Sequence, residues 1–154
     1  MARYNKYGFA YDQIICEDLA LPNATNLAAT NTVTLNAVKS GQLKIVICAS
    51  SVTNELTSAA TIRFTPLFGT TATTCTVRGV GTIELKEGDV TLNNTAGSAT
   101  TKDYPDDSTW AAGVRMVEIL IPNYLASTYK FMDLNIACSA DESADKIEAY
   151  LVTI

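Results

Sequence analysis

The sequence predicts an all-β protein built from antiparallel strands. Three observations lead there: short stretches in which apolar and polar residues alternate, Thr, Ser, Asn, Asp and Gly between them, and no convincing helical periodicity over three turns. About eight such strands at regular spacing imply two stacked sheets or a barrel. The 154 residues fit a single domain with its own core, and 47% hydrophobic against 18% charged residues is too apolar for disorder.

The elements follow in order. Residues 13–16 form a brief first strand. In 32–37, Val33, Leu35 and Ala37 alternate with Thr32, Thr34 and Asn36, the period of a half-buried strand. In 42–49, Leu43, Ile45 and Ile47 share one side and Lys44, Val46 and Cys48 the other. Ser40 and Gly41 supply a turn, so these two strands are expected to pair antiparallel as a hairpin. Further strands are expected at 61–68, 74–77 and 81–85, with a bulge or bend at Gly79 and Gly81. Pro66 lacks an amide donor, which predicts an edge position or a break there. Residues 114–121 are apolar on both faces apart from Arg115 and Glu118, and fit the interior of a two-layer stack. Strands at 129–138 and 147–154 close the chain, the first with Lys130, Met132, Leu134, Ile136 and Cys138 on one face. A short turn of helix is expected only within 17–29. The stretch 88–113 reads as a long loop, functional or mobile, carrying Tyr104 and the sole tryptophan, Trp110. That tryptophan either caps the core or anchors a partner.

The chain holds no histidine, so it lacks the commonest general base and metal ligand near neutral pH. No hydrolytic triad can be drawn, and no phosphate-cradling glycine motif is present. Two carboxylates such as Asp106 and Glu118 form at best an unsupported glycosidase pair. The acids Asp141, Glu142 and Asp145 lack a calcium-loop pattern and read as a solvated hairpin loop. Cys16, Cys48 and Cys138 lie in apolar runs and are expected as buried thiols, with Cys75 the fourth cysteine and no C-x-x-C pair among them. The expectation is a protein that is not an enzyme and takes no metal or cofactor. A net charge of −5 argues against nucleic acid as a partner, and no apolar run is long enough for a membrane helix. The opening MARYNKYGFA has no apolar stretch of a secretion signal, so the chain is expected to stay where it is made, and the sequons at Asn23 and Asn93 to go unused.

Charge is uneven. Arg3 and Lys6 precede the first acid, Asp12, so residues 1–10 form a basic, aromatic arm on an acidic body spanning 11–154. Arg3, Tyr4, Lys6, Tyr7 and Phe9 combine charge with aromatic anchors, the composition enriched at interface hot spots. The arm is therefore expected to dock a partner, and its deletion to abolish docking while leaving the fold intact. Tyr104 and Trp110 complete the candidate interface.

The order of these features resembles the jelly-roll capsid cement, or decoration, proteins of tailed bacteriophages. The strand DQIIC, the Ala/Thr-rich lead into AATNTVTLNA, then GQLKIVICAS and SAATIRFTPLFG are similar to the family's opening. The segment AGVRMVEILIPNYLASTYKFMDLNIACSADESADKIEAYLVTI resembles its close: a strand ending in proline, a turn, an aromatic-led strand, a loop and a final apolar strand. The resemblance covers most of 11–154 and rests on spacing and strand pattern. The arm and the long 88–113 segment depart from it. What it implies is an eight-stranded jelly-roll sandwich located on the virion and made in the host cytoplasm. Such a protein binds the outer capsid surface and bridges major capsid protein subunits. A standard contact of this kind buries on the order of 1,600 Å². Self-association as a dimer or trimer is expected for an apolar domain with exposed edges. The alternatives are a carbohydrate- or receptor-binding jelly roll of a tail or fibre, using Tyr104 and Trp110 as platforms, and a histidine-free hydrolase.

Overall fold

The computed structural model describes residues 3–8, 10–35, 42–50, 53–55, 60–80, 82–86, 89–95, 98–103 and 109–153. Along the chain run β1 (Arg3–Tyr4), β2 (Ala10–Tyr11), β3 (Gln13–Ala20), β4 (Asn26–Ala28), β5 (Val33–Thr34), β6 (Leu43–Ala49), β7 (Thr53–Glu55) and β8 (Thr61–Gly69). They are followed by β9 (Thr82–Lys86), β10 (Asp89–Thr95), β11 (Ser98–Asp103), β12 (Thr109–Ala111), β13 (Arg115–Ile121), α1 (Asn123–Thr128), β14 (Phe131–Cys138) and β15 (Lys146–Thr153). The protein is all-β, and every ladder between these strands is antiparallel.

A four-stranded sheet has the order β13-β6-β15-β3, and a seven-stranded sheet the order β11-β10-β9-β8-β14-β4, with β5 also paired to β14. Two ribbons, β1-β2 and β7-β12, stand apart from them. Alternation explains the core. On β14, Met132, Leu134, Ile136 and Cys138 point inward while Phe131, Asp133, Asn135 and Ala137 are half-buried. On β6, Leu43, Ile45, Ile47 and Ala49 point inward, and the inner faces of both large sheets meet in one hydrophobic cluster. Phe64 and Phe68 of β8 and Ile147 and Leu151 of β15 are among its fully buried members. Burying such a side chain contributes about 1.5–3 kcal/mol.

Several expectations change. The predicted hairpin between 32–37 and 42–49 does not form: β5 pairs with β14 and β6 with β13 and β15. Both segments carry strong alternation, but alternation fixes the faces of a strand and says nothing of its partner. The segment 88–113, expected as a loop, carries β10, β11 and β12, because its Thr-rich stretches suit a pleated surface even with few apolar residues. With the short ribbons, the described strands number fifteen rather than about eight. The helical turn falls at α1, directly after Pro122, which precedes it as an extended N-cap residue with φ −58° and ψ 139°. Glu17 and Asp18, where a turn of helix was expected, lie within β3. Residues 74–77 make isolated bridges, Thr74 to Thr71 and Val77 to Phe68, in place of a strand. Pro66 neither breaks β8 nor sits on an edge strand, since β8 lies between β9 and β14. Its nitrogen is tolerated because the β9 ladder has already ended at Phe64, and Phe68, two residues on, turns its N–H to Val77.

Candidate interaction surface

The outer face of the four-stranded sheet presents three rows in register: Arg115, Cys48 and Glu148; Glu118, Val46 and Tyr150; Leu120, Lys44 and Val152. The middle strands are buried on this side as well as on the core side. Glu148 is only 1% exposed, Tyr150 1% and Cys48 0%. A carboxylate so far from water needs a charged partner and hydrogen bonds.

Lys6 supplies the charge. Its Nζ lies 2.8 Å from Glu148 Oε1 and 2.9 Å from Asp18 Oδ1. Tyr150 donates its hydroxyl to Glu148 Oε2 at 2.9 Å. Asp18 reaches this face through an irregularity in β3: Ile147 pairs with Leu19 and Ala149 with Cys16, so Glu17 and Asp18 together oppose the single Glu148. Such a bulge re-aims a side chain, and Asp18 takes a φ of +46°, a left-handed conformation that aspartate tolerates better than most residues. Ser50 donates its hydroxyl to Asp18 and lies 3.4 Å from Lys6 Nζ. The charges explain the proton affinities. Glu148 and then Asp18 raise the Lys6 ammonium above its ordinary range, while the Ser50 hydroxyl and then Lys6 hold Asp18 below that of a free carboxyl. Burial, reinforced by Glu148, raises the Tyr150 phenol.

The rest of the N-terminal segment is shaped to deliver Lys6. Asn5 to Gly8 close a turn, with Gly8 N–H donating to Asn5 O at 3.0 Å and Tyr7 N–H to Asn5 Oδ1 at 3.0 Å. Gly8 has a φ of +82°, which favours glycine there. β1 and β2 pair Arg3 with Tyr11 and Tyr4 with Ala10. The Tyr7 ring sits on Gly113, where an added Cβ would come within 2.7 Å of Tyr7 Cδ1, and Tyr11 packs on Tyr150 with ring centroids 4.9 Å apart. Beyond the hairpin, a groove of about 180 Å³ is lined by Ala10, Lys44, Val46, Arg115, Tyr150 and Val152.

The candidate residues thus divide. Lys6 and Tyr7 are engaged by the body, whereas Arg3 and Tyr4 are exposed, Tyr4 by 65%. Phe9 and Tyr104 lie outside the described residues, and Trp110 lies in β12 opposite Asn54 of β7. Of the other groups weighed in the sequence, Asp106 is outside the described residues, and Glu118 pairs with Lys44 at 3.3 Å and Arg115 at 2.6 Å. Asp141 is exposed and accepts bonds from the Ser143 N–H and hydroxyl, which lower its carboxyl, but Glu142 beside it is only 3% exposed, so the acids expected as one solvated loop are not all in solvent. All four cysteines are free and buried, and burial pushes Cys16 and Cys138 up to about 12 and Cys48 to about 11. Among the described residues there is no cluster of three or more metal-ligating acids and thiols, and no helix long and apolar enough to cross a membrane.

Glu148, Asp18, Ser50 and Tyr150 were missed by sequence reasoning. The signal was available in KIEAYLV: Glu148 breaks an apolar final strand and shares a face with Tyr150, while the chain's first two cations precede every acid. Comparison with known proteins gives no match: no family profile, no curated protein and no solved structure matches this chain.

Proposed function

We propose that this chain is a jelly-roll capsid decoration protein, a structural component of the virion that binds the outer face of an assembled shell and bridges neighbouring major capsid protein subunits. The observation that carries the reading is strand order. One sheet runs β3-β15-β6-β13 and the other contains β4-β14-β8-β9, so the chain passes back and forth between sheets as it does in a double-sheet jelly roll, an architecture shared by viral capsid and lectin domains. β10 and β11 then extend the second sheet, and the ribbons β1-β2 and β7-β12 are additions to the eight. The resemblance of the sequence to phage cement proteins selects the capsid from among the uses of that architecture.

Adhesion of this kind requires interface and no reactive centre. Binding only the assembled shell stabilises that state by linkage. On the hairpin, Arg3 and Tyr4 face solvent while Lys6 and Tyr7 fasten the turn beside them. This division gives a cation and an aromatic ring, the residue types enriched at interface hot spots, a fixed platform. The test is co-sedimentation of the purified chain with phage heads, read also as surface density by electron microscopy. Saturable binding, weakened at least tenfold in an Arg3→Ala/Tyr4→Ala variant, is expected, about 1.4 kcal/mol or more. No binding to heads, or saturable binding to a glycan array in its place, refutes the proposal.

A further inference from the structure

We propose that the N-terminal hairpin is exchangeable: the seat formed by Glu148, Asp18, Ser50, Tyr150 and Gly113 accepts the hairpin of β1 and β2 from a second copy of this chain as well as from its own. The inference concerns contacts between copies and does not depend on the capsid reading.

Three features support it. The first is charge. The bulge in β3 and the register of β15 bring two carboxylates, Asp18 and the buried Glu148, to one spot on a chain of net charge −5, and Lys6 lies within 3 Å of both. Every copy carries both the acidic seat and the basic hairpin, so two copies are self-complementary in the way that closed two-fold association requires. The second is how the hairpin is held. Among the described residues, β1 and β2 pair with each other as a sheet of their own and add no strand to the four-stranded sheet. The hairpin therefore leaves with its own ladder intact, and what it must remake elsewhere is the Lys6 ion pairs, the bonds of Lys6 and the Tyr7 hydroxyl to Ser50, the Asn5 side-chain bond with Tyr150, and the packing of Tyr7 on Gly113 and Tyr11 on Tyr150. The third is the pivot. Asp12 fixes the following chain to its own body: its N–H donates to Leu151 O at 2.9 Å, and its carboxylate accepts the Thr153 N–H at 2.5 Å. The hinge therefore falls at Asp12, between the hairpin strand β2 and β3, which is held in the four-stranded sheet by β15.

Because exchange reproduces the same contacts, its balance is set by concentration. A short tether holds the chain's own hairpin at an effective concentration of order millimolar, and exchange competes where neighbouring copies approach that density.

The experiment uses the full chain. Equal amounts of unlabelled and ¹⁵N-labelled protein are mixed, equilibrated and treated with a zero-length carbodiimide, which joins Lys6 Nζ to the Asp18 carboxylate as an amide with loss of water. Mass spectrometry of the linked peptide identifies pairs between chains by their mixed isotope content, which marks half of all such pairs in an equal mixture. Mixed-isotope links are expected, rising with protein concentration toward half of the total. Sedimentation supplies an independent readout: a dimer that grows with concentration in the parent and is lost in Lys6→Glu. Links that stay wholly light or wholly heavy at millimolar protein overturn the proposal, as does a parent that remains monomeric there or a dimer undiminished in Lys6→Glu. No capsid enters either measurement, so failure here leaves the decoration reading standing, and failure to bind heads leaves exchange standing.

Discussion

Replacing Lys6 by methionine keeps most of the aliphatic stem and removes the ammonium that compensates Glu148. The cost can be bracketed. Removing one partner of a fully buried ion pair costs about 3–5 kcal/mol because the other charge is stranded, whereas an exposed pair is worth about 0–1 kcal/mol. This pair is mixed: the Glu148 side chain is 1% exposed and that of Lys6 47%. The stranded carboxylate keeps the Tyr150 hydroxyl at 2.9 Å. Once the hairpin lifts, water reaches Glu148 and the loss cannot exceed the free energy that docks the hairpin. These limits place the effect at about 2 kcal/mol, between the two extremes. With a urea slope of about 2 kcal/mol/M, the unfolding midpoint followed by circular dichroism falls by about 1 M with the slope unchanged. A double-mutant cycle isolates the pair. Glu148→Gln removes the stranded charge, so Lys6→Met costs less in that background, with a coupling of about 1 kcal/mol or more. A Lys6→Met variant within about 0.5 kcal/mol of the parent, the range of an ordinary surface change, or a cycle without coupling refutes the argument.

Three further outcomes are expected. Gly113→Ala forces a side chain onto a φ of +85° and a Cβ to 2.7 Å from Tyr7 Cδ1, which lowers stability in urea by about 1–3 kcal/mol; Tyr7→Ala relieves the contact but not the backbone, so the double variant recovers only part, and an undiminished Gly113→Ala midpoint contradicts this. Asp18 is depressed below its ordinary value of 3.8 by the Ser50 hydroxyl and then by Lys6. Its contribution is therefore full above that value and lost as pH falls through the lower folded value. The stability difference between the parent and Ser50→Ala shrinks as the pH falls below 3.8 toward the lower folded value, and a difference constant with pH counts against it. The thiols Cys16, Cys48 and Cys138, raised to about 12, 11 and 12 by burial, are less than roughly one part in a hundred thiolate at pH 8 and shielded besides. An aromatic disulfide reagent is expected to leave them untouched in the folded chain and to titrate all four cysteines in denaturant, and rapid labelling of the folded chain refutes it.

What the sequence made legible was the inward or outward sense of residues. The faces of 42–49 and 129–138 could be read directly, because a period of two is a local property. Partners could not. Residues 32–37 and 42–49 looked like the two arms of a hairpin, yet the strands found there, β5 and β6, lie in different sheets, and pairs such as Met132 with Val33 or Ile47 with Ala149 join residues about a hundred positions apart. No local signal encodes such a choice. The first strand was read as ending at Cys16, with a turn of helix expected beyond it, whereas the adjacent acids Glu17 and Asp18 form the bulge in β3 that brings Asp18 beside Lys6. The stretch 88–113 was read as loop, yet it carries β10, β11 and β12; within 89–103 Val90 and Leu92 are the only large apolar residues, so the strands there leave little apolar signal.

The N-terminal segment shows how a functional reading depends on layers as well as on composition. Its charges and aromatics were read as an arm for a partner, since nothing in a single sequence says whether such residues meet a neighbour or their own domain. The clue lay elsewhere, in strands too apolar for a two-layer protein. Val46 and Cys48 on β6 and Tyr150 on β15 occupy the parity opposite to the core residues Ile45, Ile47, Ala149 and Leu151, and are buried all the same. Central strands that are apolar at both parities need cover on both sides. The edge strand β13, with Glu118 and Leu120 exposed, needs less. The cover lies over the middle of the sheet, and the N-terminal hairpin provides part of it through Lys6, Tyr7 and Tyr11. The requirement for a second cover and the presence of a basic, aromatic segment are thus one fact seen from two ends of the chain. Arg3 and Tyr4, which the cover does not use, are left exposed.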